Sequence, residues 1–230
     1  MEITYLATEN DDVIHNRESS FWASRNISSL RVSTMSEGIK EAINSQFLYI
    51  GINADNINYR PQLPLLRESA NDPIFISTSN YTMQEQWEAI TLGADLFGQI
   101  SKNPDDNFHN VMANINALQE RTQQRRPRVK LLFYGNVLMS PKYRKVFVDD
   151  KEIELTKLDF DLLYYLIINR GIALSTEQIH SQVWKNERTE LIDNVVMCAI
   201  KRLRKKIAGQ NTYNCIIENV WGIGYRLSLN

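Results

Sequence analysis

Short apolar runs alternate with helix-like stretches along the first 120 residues, and this alternation limits the possible folds more than any other feature. The apolar runs predict strands, and the stretches between them place apolar residues at helical spacing. Five strands that alternate with five helices imply a parallel sheet with helices on both faces. The predicted strands are Ile3–Ala7, Ile27–Val32, Phe47–Ile50, Ile74–Ile76 and Leu96–Phe97, and the predicted helices are about Asp11–Ser24, Ser36–Ser45, Gln62–Ser69, Thr82–Leu92 and Asp105–Arg121.

The distribution of charge divides the chain near the end of this pattern. Residues 1–121 carry 8 Lys and Arg against 16 Asp and Glu, whereas residues 122–230 carry 18 against 11. Such an asymmetry is expected when one half of a protein meets nucleic acid or an acidic membrane surface. A membrane is disfavoured, because no apolar run approaches the roughly 20 residues that span a bilayer, and no basic leader precedes an apolar stretch.

A polar segment from Gln119 to Lys130 contains Pro127 and has the composition of a linker. We therefore predict a regulatory domain over residues 1–121, a linker over residues 122–130 and a second domain over residues 131–230. The only cysteines, Cys198 and Cys215, lack the number and spacing of a disulfide framework or a zinc site, which favours a reducing, cytoplasmic setting. No cofactor, metal or enzymatic activity is expected, because the sequence contains neither a Gly-rich phosphate loop nor a nucleophile with a base.

After the linker, short strands come before three helices. The turn signals between the strands are Gly135-Asn136, Ser140-Pro141 and Asp149-Asp150. Capping patterns place the starts of the first two helices at Thr156 and Ser175, and the third helix should span about Leu191 to Ala208. Two strand-like runs joined by a turn around Gly222 follow it.

The third helix has apolar and basic residues on opposite sides when it is laid out at 100° per residue. Its apolar stripe is Val196, Ile200, Leu203 and Ile207, and the opposite side carries Asn194, Cys198, Lys201 and Lys205. A helix that exposes amide and cationic groups suits the major groove of DNA, where Asn can pair with adenine and Lys with guanine. A solvated basic face on a surface helix explains the same pattern. The neighbouring segments are therefore needed to distinguish a DNA-binding helix from an ordinary surface helix.

Five segments in this order resemble the winged helix-turn-helix domain of OmpR-type (OmpR/PhoB family) response regulators. They are Leu155–Phe160, Ser175–Ile179, Val183–Trp184, Ile200–Ile207 and Gly222–Leu227. The resemblance covers about Leu131 to Leu229 and implies a four-stranded sheet, three helices with the third in the major groove, and a C-terminal hairpin wing. It implies base-facing positions at Asn194, Cys198 and Lys201, phosphate contacts from Thr176, Trp184, Arg202 and Arg204, and further DNA contacts from Lys205 and Trp221.

Two departures from this family affect the expected specificity. Met197 and Ala199 stand where recognition helices of the family often have Asp and His, and Trp221 stands where the wing often has Arg. An Arg at the tip can enter a narrow minor groove, whereas a neutral indole cannot supply that charge. We expect a weaker preference for A/T tracts, with Trp221 either stacking or wedging against DNA or packing on its own wing.

Residues 1–121 resemble a receiver domain, most clearly in Pro73–Thr78 and Gly93–Asp95. Typical receivers hold Mg²⁺ with an acidic pair after strand one, accept phosphate on an Asp that ends strand three, and carry a Lys after strand five. Carboxylates are required because Mg²⁺ prefers hard oxygen ligands and an acyl phosphate needs a carboxylate nucleophile. The corresponding positions are Ala7, Thr8, Gly51 and Ile100, and only Thr78, the hydroxyl position after strand four, matches.

The two resemblances imply a flavodoxin-like α/β domain with a five-stranded parallel sheet, followed by an α+β winged-helix domain. The implied function is sequence-specific regulation of transcription without aspartyl phosphorylation, with double-stranded DNA as partner and RNA polymerase as a further candidate. Pairing through about Thr82–Leu92 and Asp105–Arg121 implies a homodimer on half-sites about one helical turn apart. The alternatives are a phosphorylation-switched regulator with a displaced acceptor among Glu9, Asp11, Asp12 and Asp55, and an adaptor whose winged helix binds protein or RNA.

Overall fold

The computed structural model describes residues 3–8, 19–99, 111–115, 118, 130–185, 191–208 and 215–229. The chain divides into two units, Met1–Val129 and Lys130–Asn230. Most of the predicted linker, together with Ile100 and the loop carboxylates Glu9, Asp11 and Asp12, lies outside the described residues.

The amino-terminal unit is built on five parallel strands. They are β1 Ile3–Thr8, β2 Ile27–Val32, β3 Ile50–Asn53, β4 Ile74–Thr78 and β5 Leu96–Gln99. Their order in the sheet is β2-β1-β3-β4-β5, and every neighbouring pair is parallel. This sheet confirms the predicted α/β fold of the first unit.

Three helices of this unit are described in full: α1 Met35–Asn44, α2 Leu63–Ser69 and α3 Met83–Leu92. Residues 19–23 and 111–115 are also helical, within the first and fifth predicted helices. The predicted start of α3 is confirmed, because the Thr82 hydroxyl accepts a hydrogen bond from the Glu85 amide. Gly93 ends α3 with a φ of 119°, a left-handed conformation that glycine adopts without a steric penalty.

The third strand begins three residues later than predicted. Phe47, Tyr49 and Ile50 are buried, but the segment from Phe47 forms the approach to the strand and only Ile50 belongs to β3. Pairing with β1 and β4 defines β3, which runs through Gly51 to the polar Asn53. The apolar run in the sequence indicated burial, whereas the hydrogen bonds to neighbouring strands set the first residue of β3.

An aromatic cluster covers one face of this sheet. The ring of Tyr49 lies 5.6 Å from that of Trp22 and 5.4 Å from that of Phe75, measured between centroids. Ala7 and Ile115 are buried in the same cluster. Tyr49, which lies just before β3, therefore packs on the sheet face toward which a side chain at position 51 would point.

The carboxy-terminal unit has the architecture that the winged-helix resemblance implies. Its four-stranded antiparallel sheet is β6 Leu132–Tyr134, β7 Val137–Ser140, β8 Lys145–Val148 and β9 Lys151–Ile153. Three helices follow, α4 Lys157–Ile168, α5 Thr176–Val183 and α6 Ile192–Ile207, and then the antiparallel hairpin of β10 Cys215–Val220 and β11 Gly224–Leu229. Thr156 and Ser175 cap α4 and α5 as predicted, and Ser175 forms a complete capping box with Gln178.

Backbone hydrogen bonds attach this hairpin to the loop between α4 and α5. Leu174 and Tyr225 exchange two amide-to-carbonyl bonds of 2.8 and 2.9 Å, and the amide of Gly171 donates to the carbonyl of Leu227 at 2.9 Å. These bonds hold the first half of β11 against the loop between α4 and α5. In the described ranges, no helix has the length and apolar character that a bilayer crossing requires.

Candidate nucleic-acid interface and the carboxyl edge of the sheet

The helix α6 buries one side completely and exposes the other. Val196, Ile200, Leu203 and Ile207 are each at most 1% exposed, which confirms the predicted apolar stripe. Asn194, Cys198, Lys201 and Lys205 are exposed, and we call these four residues the polar face of α6. The helix therefore offers amide and ammonium donors to a ligand that approaches from solvent.

Arg202, predicted to contact phosphate, is paired with a carboxylate inside the unit. Its Nη2 and Nε atoms lie 2.6 and 2.8 Å from Oδ1 of Asp159 on α4, and Lys206 Nζ lies 3.2 Å from Oδ2. Asp159 is fully buried. Burial works to raise the pKa of Asp159, but hydrogen bonds with Arg202, Thr156 and Lys206 outweigh it and leave the pKa below its ordinary value. The pairing holds α6 against α4.

Arg204, also predicted to contact phosphate, connects α6 to the hairpin. Its Nε donates to the carbonyl oxygen of Ile217 at 2.8 Å, and its Nη2 donates to Oδ1 of Asn219 at 2.7 Å. The guanidinium carbon also lies 5.7 Å from the ring centroid of Tyr225. These contacts orient the hairpin relative to the polar face of α6.

The other two predicted phosphate contacts are engaged within the unit as well. The hydroxyl of Thr176 donates to Oδ1 of Asp193 at 2.5 Å, which joins the first turns of α5 and α6. Trp184 is buried and stacks on His180 with 5.4 Å between ring centroids. The Thr176 hydroxyl is therefore already hydrogen-bonded within the unit, and the Trp184 ring is fixed by stacking.

Trp221 stands at the tip of the hairpin and is 99% exposed, so it does not pack on its own wing. The turn beneath it is closed by the Ile223 amide, which donates to the Val220 carbonyl at 3.0 Å. Residues 219–225 contain no charged side chain, and Arg226 beyond them pairs with Glu218 at 2.8 Å. The tip therefore presents an aromatic surface without a positive charge.

At the carboxyl edge of the parallel sheet, Ala7 of β1 and Gly51 of β3 lie opposite each other. A Cβ atom at position 51 would stand 3.4 Å from the ring of Tyr49. Across the described ranges, no cluster of three His, Cys, Asp or Glu side chains could hold a metal ion. The structure thus brings together two of the positions that correspond to the reaction centre of a receiver, and neither carries a carboxylate.

Thr78, at the end of β4, is buried and its hydroxyl donates to Oδ1 of Asp55 at 2.8 Å. The amide of Ser79 donates to Oδ2 of Asp55 at 2.9 Å. Sequence reasoning treated Asp55 only as a candidate displaced acceptor and missed this pairing. The signal was present, because Asp55 and Thr78 follow adjacent parallel strands whose carboxyl ends share one edge.

Comparison with known proteins yields relatives along most of the chain. Residues 150–227 match the family model described as "Transcriptional regulatory protein, C terminal". The response regulators ArlR of Staphylococcus saprophyticus and of Staphylococcus epidermidis are 30% and 32% identical to the chain over 190 residues, or 82% of each sequence. The solved structure of DrrB from Thermotoga maritima, an OmpR/PhoB homologue, aligns over 99% of this chain and all of its own with 20% identity and a TM-score of 0.41.

The match to the ArlR proteins is longer than either unit, so it extends over parts of both. The family model falls on the winged-helix unit, with its polar helix face and hairpin. A parallel five-stranded sheet followed by a DNA-binding winged helix is the expected arrangement of such regulators. The chain is a DNA-binding transcription factor and belongs to the OmpR-type response regulators.

Proposed function

We propose that this response regulator recognises specific DNA sequences as a dimer on repeated half-sites and acts without phosphorylation of an aspartate. Residues 1–121 would form the regulatory domain, residues 122–130 the linker and residues 131–230 the DNA-binding domain. The observation that carries the proposal is the polar face of α6, which is exposed opposite a completely buried stripe. An amphipathic helix of this kind can enter the major groove without losing its packing.

We assign roles to the predicted DNA-binding residues according to their contacts within the unit. Asn194, Cys198 and Lys201 stay the proposed base-facing positions, and Lys205 is the proposed phosphate contact. Arg202 and Arg204 are paired with protein groups, so we assign them mainly to positioning α6 and the hairpin. Trp221 is proposed to meet the minor groove by stacking or wedging, which favours a site with weak A/T-tract preference.

Removing single lysines from the polar face tests this division. Lys201→Ala should weaken binding to a selected duplex by about 1 to 3 kcal/mol and weaken a scrambled duplex less, because a base contact is lost. Lys205→Ala should weaken both duplexes alike and lower the salt slope by about one, because a phosphate contact releases a counterion.

The measurement is fluorescence anisotropy across a salt titration, on a duplex selected from a random library and on its scrambled form. Lys151→Ala is the matched control, because it removes the same charge from the sheet of the same unit. Equal losses on both duplexes for Lys201→Ala would contradict the assigned base contact. Failure of the wild-type protein to bind any duplex at low salt would remove the whole proposal.

Independence from phosphorylation is supported by Ala7 and Gly51, which provide no side-chain oxygen to a metal and no carboxylate to accept a phosphoryl group. Incubation with acetyl phosphate and Mg²⁺ is expected to leave the intact mass unchanged. A phosphoryl adduct that also raises DNA affinity would overturn this part of the proposal. Mapping that adduct to Asp55 would favour the alternative of a displaced acceptor.

Dimerisation is supported by three exposed apolar side chains on α3. Met83, Trp87 and Ile90 are 78%, 73% and 44% exposed, and their spacing places them on one side of the helix. We call them the apolar stripe of α3. A contiguous exposed stripe of this kind marks an interaction surface more often than an isolated apolar residue does.

Trp87→Glu is expected to raise the dimer dissociation constant at least about tenfold, because large aromatic residues dominate the energy of interfaces. Sedimentation velocity of the full chain over a concentration series measures this constant. Trp87→Phe is the matched control, since it keeps an apolar ring at the same position. An unchanged dissociation constant in Trp87→Glu would exclude the apolar stripe of α3 from the interface.

A further inference from the structure

The Asp55 carboxylate occupies a pair of donors at the carboxyl edge of the sheet. The hydroxyl of Thr78 and the amide of Ser79 approach its two oxygens at 2.8 and 2.9 Å. The amide of Asn80 donates to the Thr78 oxygen at 3.1 Å, which leaves the hydroxyl proton directed at Asp55. A hydroxyl and a neighbouring main-chain amide that point at the same carboxylate form a small oxyanion site.

Further hydrogen bonds tie this site to the strands on both sides. The Asp55 amide donates to Oδ1 of Asn53 at 3.0 Å, which positions the carboxylate at the end of β3. Gln99 at the end of β5 donates through Nε2 to the carbonyl of Ser79 at 3.2 Å. The donors are therefore held in place by the ends of three adjacent strands.

Asp55 fills the site as an anion. Partial burial works to raise its pKa, but the hydrogen bonds from Thr78 and Ser79 prevail and leave the pKa below the ordinary value. The carboxylate is consequently ionised at neutral pH and accepts both donors without help from a bound ligand.

The same edge holds spare polar groups. The hydroxyl of Thr8 and Nδ2 of Asn53 are buried and have no hydrogen-bond partner in the described structure. Buried polar atoms without partners are uncommon in folded proteins, and they mark places where a ligand or water can bind. The edge thus has more hydrogen-bonding capacity than Asp55 uses.

We infer that the side chain of Asp55 takes the place of a phosphoryl group at the Thr78–Ser79 donor pair and keeps this oxyanion site closed. This inference rests on the proposed phosphorylation-independent function and supplies a physical basis for it. The donors are satisfied by a resident carboxylate, so the loop that leads into α3 is fixed without a phosphoryl group. That loop ends at Thr82, the cap of the helix that carries the apolar stripe of α3.

Removing the resident carboxylate should open the site to inorganic phosphate. Asp55→Ala is expected to lower the melting temperature of the amino-terminal unit by about 3 to 6 °C, and millimolar phosphate should restore most of this loss in a saturable way. The wild type should show no saturable response, because its site is already filled. Glu41→Ala is the matched control, since it removes a carboxylate from α1 in the same unit.

The experiment is a thermal melt of the full chain across a phosphate series, with chloride at matched ionic strength. The double variant Asp55→Ala, Thr78→Val should lose the recovery, because the hydroxyl donor is gone. A saturable phosphate response in the wild type, or none in Asp55→Ala, would overturn the inference. If Asp55→Ala does not fold, the same titration is made with Asp55→Ser, whose side chain is shorter and carries no charge.

The result of this phosphate titration can be distinguished from the result of the acetyl phosphate test of the proposed function. Inorganic phosphate cannot phosphorylate a carboxylate, so the melt reports non-covalent binding alone. A phosphoryl adduct formed from acetyl phosphate would remove phosphorylation independence, whereas the phosphate response of Asp55→Ala tests only the oxyanion site.

Discussion

Gly224→Ala is expected to lower the free energy of unfolding of the carboxy-terminal unit by about 3 to 5 kcal/mol. Gly224 begins β11 with a φ of 149°, a backbone conformation that residues with a side chain rarely adopt. A Cβ atom there would overlap the carbonyl oxygen of Leu174 and lie 3.0 Å from Cα of Ser175. The hairpin would have to leave the loop between α4 and α5, and the two hydrogen bonds between Leu174 and Tyr225 would break.

Gly222→Ala is the matched control for this prediction. Gly222 also has a positive φ, 73°, but a Cβ atom would meet nothing within 4 Å. Its cost should be about 1 kcal/mol, the penalty of the left-handed conformation alone. Peptide-resolved hydrogen exchange in increasing urea measures the stability of this unit within the full chain. Equal costs for the two variants would show that contact with Leu174 does not hold the hairpin.

Asp159→Ala is expected to destabilise the same unit by about 2 to 3 kcal/mol at neutral pH. The substitution removes a buried acceptor from Arg202 and Lys206 and releases α6 from α4. Both cations are partly exposed and can be rehydrated, which keeps the loss below that of a wholly buried pair. DNA affinity should fall with stability, because α6 carries the proposed base contacts.

The Asp159 contribution has a defined pH dependence. The folded-state pKa lies below the ordinary value, so the contribution is complete at neutral pH and disappears as the pH falls through the lowered pKa. The difference in stability between the wild type and Asp159→Ala should therefore shrink below about pH 4. Urea unfolding at several pH values measures it, and a difference that stays constant into strong acid would contradict the assigned ion pair.

Asp161→Ala provides the control on the same helix. Asp161 pairs with Arg144 at 2.8 Å, but both side chains are about one-third or more exposed. Surface pairs of this kind contribute up to about 1 kcal/mol, because water screens the charges and both side chains lose mobility. Comparable losses for Asp159→Ala and Asp161→Ala would mean that burial of the carboxylate has no special effect.

Features that depend on nearby residues could be predicted from the sequence. Thr82, Thr156 and Ser175 cap helices as expected, because each bonds to an amide three residues away. The buried stripe of α6 was also predictable, since helical periodicity repeats over four turns. The alternation of strands and helices in turn implied the parallel sheet, because parallel neighbours need crossover connections.

Contacts between residues far apart in the chain could not be predicted from the same patterns. Arg202 and Arg204 belong to a basic run that suggests phosphate contacts, and only the structure adds their bonds to Asp159, 43 residues before Arg202, and to the hairpin that follows. The start of β3 was misplaced for a related reason, because the strands beside it define its first paired residue.

The sequence alone determined the order of elements, the division of charge, the helix caps and the polar face of α6, because these follow from local spacing and composition. Only the tertiary structure decided which cations are already paired, that Trp221 stands free at the tip, and that Asp55 closes the donor pair of Thr78 and Ser79. Those facts depend on where segments far apart in the chain meet, and many sequences with the same local pattern would bring different side chains together.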